Sequence, residues 1–221
     1  MGRYKSTAAA NGQRVGEQQV PHINQSQQTP QFPSDWPTIF AKETIGIERN
    51  GLIVEEGNIF TPDDVKPIPE SLAAIRLMRL KGYKVVIFFN EPAISEGKIT
   101  PNHVNATNDQ LMREFGQAGI YSIDGLFYST SSMKQDMYSM PNNGMMKKAE
   151  IDVKVNFKGG YFVGNRLHDL KAGESSGSKP VLIKMGNYQE AIDKLDSFAN
   201  KELKQKTKTY NSLLEFAEQL P

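Results

Sequence analysis

Lys84-Val85-Val86-Ile87-Phe88-Phe89 is apolar after its first residue and dense in β-branched and aromatic side chains. Such a run suits a strand buried on both faces, the kind that fills the middle of a parallel sheet. Before it, residues 69–81 read as a helix: Leu72, Ile75, Leu77, Met78 and Leu80 form an apolar face that Pro69 opens and Gly82 ends. Outward from this unit the pattern repeats. Residues 44–47 predict a short strand followed by a tight turn at Gly51, and 105–118 predict a helix stopped by Gly119. Residues 123–128, 160–163 and 180–183 predict further strands, with a helix over 145–150. The chain closes on helices over 188–203 and 212–220, separated by the basic linker 204–208, which reads as solvated surface. Strands alternating with helices indicate an α/β architecture, a Rossmann-like parallel sheet with helices on both faces.

The first 40 residues are different. More than half of the glutamines and four of the 12 prolines lie before Phe40, with hardly any aliphatic periodicity. This stretch cannot bury enough apolar area to offset the entropy of ordering it. Its aromatic residues Phe32 and Trp36 are candidate anchors for a protein partner, so 1–40 reads as an extended docking arm and 41–221 as the folded domain. Met1-Gly2-Arg3-Tyr4-Lys5-Ser6 also fits the N-myristoylation pattern, which matches often by chance.

Composition narrows the function. The 221 residues carry 26 Lys plus Arg against 25 Asp plus Glu, a net charge of +1, which gives no field to attract nucleic acid. No apolar run approaches the roughly 20 residues of a bilayer span. With no cysteine there is no disulfide, thiolate metal site or cysteine nucleophile. His22, His103 and His168 show no metal-ligand spacing, which leaves surface or capping roles. Met133, Met137, Met140, Met145 and Met146 form a cluster best explained as core filling.

In an open parallel sheet, ligands sit beyond the carboxyl ends of the strands. The segments that follow the predicted strands are Ile47-Glu48-Arg49-Asn50-Gly51, Phe89-Asn90-Glu91-Pro92-Ala93 with Gly97-Lys98 behind it, Met140-Pro141-Asn142-Asn143-Gly144-Met145, and Val163-Gly164-Asn165-Arg166-Leu167-His168-Asp169. These landmarks, with Ala118-Gly119-Ile120 before Ile123-Asp124-Gly125 and Gly177-Ser178-Lys179-Pro180-Val181-Leu182 near the end, resemble the haloacid dehalogenase-like phosphatases. Within that superfamily the chain resembles the D-glycero-D-manno-heptose 1,7-bisphosphate 7-phosphatases and related histidinol phosphatases, from about Thr44 to the C-terminus. The resemblance implies that superfamily's fold without a large cap domain.

The resemblance also assigns roles that this chain fills differently. The family's Asp nucleophile corresponds to Glu48, whose carboxylate is displaced by about one methylene, and a misplacement of ~1 Å can cost about 100-fold. The general-acid Asp corresponds to Asn50, which has no proton to donate and retrieve. The phosphate-binding Thr matches Phe89, the charge-neutralising Lys matches Met140, and the metal-binding Asp matches Asn165. Asp169 alone remains of the acidic set. The zinc loop of many relatives matches residues 129–138, which hold no cysteine.

Five changes at once lead the sequence to an expectation of a catalytically inactive, phosphatase-like module with no cofactor. It would act structurally through its arm in a multi-subunit assembly, of which a virion would be an example, and be soluble, either cytoplasmic or particle-associated. Two alternatives stand beside it. One is a weak Mg²⁺-dependent sugar-phosphate phosphatase with Glu48 as displaced nucleophile. The other is a non-hydrolysing sugar-phosphate binder that uses Lys98 and the backbone amides at Asn50 and Gly51. Glu48 and Asp169 are expected to be held as a satisfied buried pair by Asn50 and Asn165.

Overall fold

The computed structural model describes residues 2–3, 43–131, 133 and 135–221. Phe32, Trp36 and His22 lie outside the described residues, as does most of the Gln/Pro-rich stretch. Seven strands form one sheet: β1 (Gly2–Arg3), β2 (Thr44–Glu48), β3 (Lys84–Asn90), β4 (Gly125–Ser129), β5 (Tyr161–Gly164), β6 (Lys179–Ile183) and β7 (Lys208–Tyr210). Their order is β1-β4-β3-β2-β5-β6-β7, and every pair is parallel except the antiparallel β1 and β4. Helices α1 (Pro69–Leu80), α2 (Pro101–Gln117), α3 (Gly144–Asp152), α4 (Leu167–Ser175), α5 (Tyr188–Leu195), α6 (Lys201–Lys206) and α7 (Leu213–Gln219) complete the domain.

β3 lies inside the sheet and is buried on both sides, as its composition demands. Val85, Ile87 and Phe89 join the core formed with α1, α2 and α7. The alternate residues Val86 and Phe88 join a second core with Met140, Met145, Met146 and Phe162. The two-residue period of a strand thus divides one apolar run between two layers. Three of the clustered methionines are in this second core, whereas Met133 and Met137 are exposed.

The structure corrects several boundaries. The helix expected over 188–203 breaks after Leu195, and a short 3-10 turn at Phe198–Asn200 leads into α6. The basic segment 204–208, read as a linker, finishes α6 and begins β7, an edge strand whose polar side chains carry no apolar signature. Helix α4 was not expected because its apolar residues Leu167, Leu170 and Ala172 span barely two turns.

β3 and β4 lie on one side of β2, and β5, β6 and β7 lie on the other. The chain therefore changes direction across the sheet between β2 and β5. This topological switch opens a crevice at the carboxyl ends of those strands.

Candidate functional site

Glu48 ends β2 and is 4% exposed. Its Oε1 accepts the backbone N–H of Asn50 at 3.3 Å, while Oε2 is buried with no hydrogen-bond partner. Across the crevice, β5 ends at Gly164, and the next residues turn into α4. Asp169 Oδ2 accepts the N–H groups of Asn165 (3.1 Å) and Arg166 (2.9 Å), tying the carboxylate to the helix start. A side chain at Gly164 would collide with Asp169, so the carboxylate's position depends on a bare backbone there. Asn50 and Asn165 thus reach the two carboxylates through their main chains, but the satisfied pair expected from the sequence is incomplete, since Glu48 Oε2 has no partner.

Burial, and then the nearby Asp169 charge, hold the Glu48 carboxyl well above the usual range, against the opposing pull of the Asn50 N–H, Arg166 and Arg49. His168 Nε2 stands 3.1 Å from Asp169 Oδ1. Burial pulls the imidazole pKa down, but the charge of Asp169 and its hydrogen bond outweigh this, and the net shift is upward. His168 is therefore an ion-pair partner of the site, beyond the surface or capping role read from sequence. His103 does cap: its Nδ1 meets Thr100 Oγ1 at 2.8 Å at the start of α2.

Asn165 turns its Nδ2 to the Met185 carbonyl at 3.2 Å and leaves Oδ1 buried and unpartnered. Two carboxylates and an amide oxygen make a hard-donor set that fits a divalent cation such as Mg²⁺, with less negative charge than three carboxylates would offer. The orphaned Glu48 Oε2 and Asn165 Oδ1 are the observation behind that fit. Among the described residues, no group of three His, Cys, Asp or Glu side chains gathers around a point.

Several residues the sequence reading did not single out complete the crevice. Arg49 is 2% exposed, and its Nε donates to Asn50 Oδ1 at 2.9 Å. Its other nitrogens reach Glu91 at 3.5 Å and Asn108 Oδ1 at 3.4 Å. Burial brings the Arg49 pKa down to about 10, although Glu91 and Glu48 oppose the shift. Glu91 is itself pushed up by burial, against the influence of Arg49. Glu56 pairs with Arg166 and lies over Gly51, where φ is +73° and any side chain would strike Glu56 and Asn165. Apart from Arg49 with its neighbour Asn50, these pairings join residues far apart in sequence, so no local signal announces them. Position directly after a strand end was the available clue for Arg49 and Glu91.

The remaining candidates take packing or surface roles. Phe89 is fully buried and stacks on Tyr128 at 5.4 Å. Met140 is buried, and Asn90 clamps its backbone N–H and C=O at 3.2 and 3.3 Å. Lys98 is exposed and pairs with Glu96 at 2.8 Å.

Comparison with known proteins follows this geometry. No protein-family profile matches the chain. A D-glycero-β-D-manno-heptose-1,7-bisphosphate 7-phosphatase of Bordetella bronchiseptica is 26% identical over 177 residues, covering 79% of this chain and 95% of that protein. Among solved structures, the D,D-heptose bisphosphate phosphatase of B. bronchiseptica, complexed with magnesium and phosphate, superposes with a TM-score of 0.71 at 23% identity. The match covers 80% of this chain and 97% of that one. The D,D-heptose 1,7-bisphosphate phosphatase of Burkholderia thailandensis gives 0.60 over the same shares, also at 23% identity.

The sequence match to a phosphatase along nearly its whole length overturns the expectation of an inactive structural module in an assembly or virion. Taken one at a time, the five changed positions are losses of separate functions. In the fold, Glu48 and Asp169 still lie close enough for the charge of one to act on the other, and Glu48 Oε2 and Asn165 Oδ1 are buried without a partner. No helix among the described residues is long and apolar enough to cross a membrane. The fold is that of the haloacid dehalogenase-like proteins, and the chain is a sequence relative of the D-glycero-D-manno-heptose 1,7-bisphosphate 7-phosphatases.

Proposed function

We propose that the protein is a Mg²⁺-dependent phosphatase of phosphorylated sugars, with Glu48 as nucleophile. The observation that carries this reading is the buried, unpartnered Glu48 Oε2 beside Asp169 at the topological switch. The named activity of the sequence relative supports it. Glu48, Asp169 and Asn165 would hold the cation. When bound, Mg²⁺ supplies charge that favours the ionised form of Glu48 and neutralises the phosphoryl oxygens.

The residues then divide the work. The Asn50 N–H fixes Glu48 Oε1 and so orients the carboxylate. The Glu48 carboxylate oxygen that is not turned to the cation attacks phosphorus, the phosphorus–alkoxide bond breaks, and the phosphoryl group passes to Glu48. Water then attacks the same phosphorus and returns Glu48 as carboxylate with release of inorganic phosphate. Asn50 has no acid proton, so the departing alkoxide takes one from water, which makes the first step slow for sugar esters. Arg49 holds the Asn50 side chain and anchors the loop through Glu91.

Purified protein with Mg²⁺ and a panel of sugar phosphates tests the reading. Phosphate release that vanishes both with EDTA and in Glu48→Gln is expected. Release at background across the panel sinks it.

A second reading, a sugar-phosphate binder without turnover, draws on the burial that raises the Glu48 pKa and so disfavours the ionised form a nucleophile needs. It gains ground if phosphosugars raise the unfolding temperature while no phosphate is released.

A further inference from the structure

The six parallel strands all begin at the end of the sheet opposite the crevice, and that end is basic. Lys84 and Lys179 open β3 and β6, and Lys154 and Lys158 lie in the connection between α3 and β5. Lys84, Lys154 and Lys158 border one hollow of about 310 Å³, in whose lining Glu43 is the one carboxylate. Lys158 lies against Gly177, two residues before Lys179, which joins the four lysines into one surface. Lys84 Nζ donates to the Lys154 carbonyl at 2.9 Å and Lys179 Nζ stands 4.9 Å from the Tyr161 ring centre, contacts that leave both charges unneutralised. Lys154 and Lys158 are exposed and have no ion-pair partner among the described residues. Nearby carboxylates are engaged elsewhere, Asp124 with Arg79, Asp152 with Lys148 and Glu174 with Lys206.

The same end bears apolar side chains that face water. Helices α1, α2 and α3 each descend to it from the crevice end, and Leu80, Tyr121 and Ile151, at or just beyond their last turns, are 73%, 91% and 68% exposed. Leu80 and Tyr121 belong to the helical layer on one face of the sheet and Ile151 to the layer on the other, so the three are spread across the end and do not form the single apolar centre of a protein interface. Separate apolar tips among lysines suit a lipid surface, where the tips enter the headgroup layer while the ammonium groups meet phosphates. The charge at the crevice end has the opposite sign. Glu55, Asp63, Asp64 and Glu70 are all exposed between β2 and the first turn of α1. The net charge of +1 therefore conceals an uneven distribution, which turns the lysines towards an anionic surface and the crevice away from it.

We propose that the amino end of the sheet is a peripheral docking surface for an anionic lipid bilayer. Lys154, Lys158 and Lys179 meet the headgroup phosphates, and Leu80, Tyr121 and Ile151 enter the headgroup layer. Contact of this kind needs no spanning helix, and it leaves the crevice open to solution whatever chemistry Glu48 performs.

Co-sedimentation of the full chain with vesicles tests this, using phosphatidylcholine alone and phosphatidylcholine with about 30% phosphatidylserine. Binding that requires phosphatidylserine and weakens as salt rises is expected. Lys154→Gln combined with Lys158→Gln should weaken it at least about tenfold. Leu80→Ser combined with Tyr121→Ser should weaken it at least about threefold. All four side chains are exposed, and unfolding temperatures check that both double variants keep the fold. Equal sedimentation with and without phosphatidylserine, or no loss in the lysine variant, overturns the surface. Loss in the lysine variant alone, matched by an equal loss of binding to duplex DNA or polyglutamate, marks a soluble polyanion as the partner and overturns the bilayer.

Discussion

The Arg49 guanidinium carbon lies 3.4 Å from the centroid of the Phe89 ring, so the loop after β2 rests on the end of β3 through a cation held over an aromatic face. Glu91, two residues beyond Phe89, completes the pairing from the same strand end. The arrangement shows how a phenyl ring comes to occupy the position that the resemblance assigns to a phosphate-binding threonine. Here Phe89 supports the loop after β2 through Arg49.

Breaking this pair on one side should be costly. Arg49→Met leaves Glu91 charged, buried and alone, and should lower stability by about 3–5 kcal/mol. Arg49→Met combined with Glu91→Leu should recover most of that loss, since the unpaired charge is gone. Urea unfolding of the two single variants and the double variant checks this; additive losses contradict it.

Stability should depend on pH through Glu48. Its folded pKa lies above the ordinary 4.5, so the folded chain keeps a proton that the unfolded chain releases. Stability is then complete below about 4.5 and falls by about 1.4 kcal/mol per pH unit until the folded pKa is passed. His168 has the same sign at higher pH: its contribution is full below 6.5 and is lost as pH rises through its raised folded value. Glu48→Gln should flatten the first slope and be the more stable protein at pH 7. Metal-free denaturant titrations from pH 4.5 to 8 measure it, and parallel curves for the two proteins count against the assignment.

Asn165→Asp should trade stability for metal affinity. The new carboxylate faces the Met185 carbonyl in place of an N–H donor, which should cost about 1–2 kcal/mol without cation. The same charge should tighten Mg²⁺ binding by about tenfold or more. Unfolding temperatures in EDTA and in millimolar Mg²⁺ should diverge further for the variant than for the wild type.

Asn50→Asp should restore acid catalysis. Arg49 Nε donates to Asn50 Oδ1 at 2.9 Å, and an aspartate can accept the same bond. Turnover of alkyl phosphates should rise about 100-fold or more, while aryl phosphates, whose leaving groups need no proton, should change little. An equal gain on both classes would point to repositioned Glu48 in place of proton transfer.

Gly51 tests the crowding above the site. Gly51→Ala must accept a positive φ and displace Glu56 and Asn165, so it should lose about 1–3 kcal/mol and reduce Mg²⁺-dependent phosphate release. Thermal unfolding and activity together report the two effects.

Apolar density made the architecture legible. Val85 to Phe89 suited an interior strand, and the Gly82 and Gly119 stops placed α1 and α2 within a few residues. β7 escaped because an edge strand needs no apolar face, and α4 because two turns are too few to show a period. At the site, the strand-end rule led to the right segments, and the resemblance singled out Glu48, Asn50, Asn165 and Asp169 within them. The burial of Arg49 and Asn108 and the ion pair of Glu56 could not be read, because they depend on partners 42, 59 and 110 positions away. Reading each changed residue alone also hid how Phe89 and Arg49 support each other.

The polar edge strand β7 has a bearing on how the molecule behaves in a crowded solution. Its outer row of backbone amides and carbonyls is a template that another chain's strand could extend. Lys208 and Thr209 are exposed on that three-residue border, and a charged, short strand is a poor seed for stacking. Valines at those two positions would leave the crevice untouched and convert the border into an adhesive, with fibrous aggregation as the visible result.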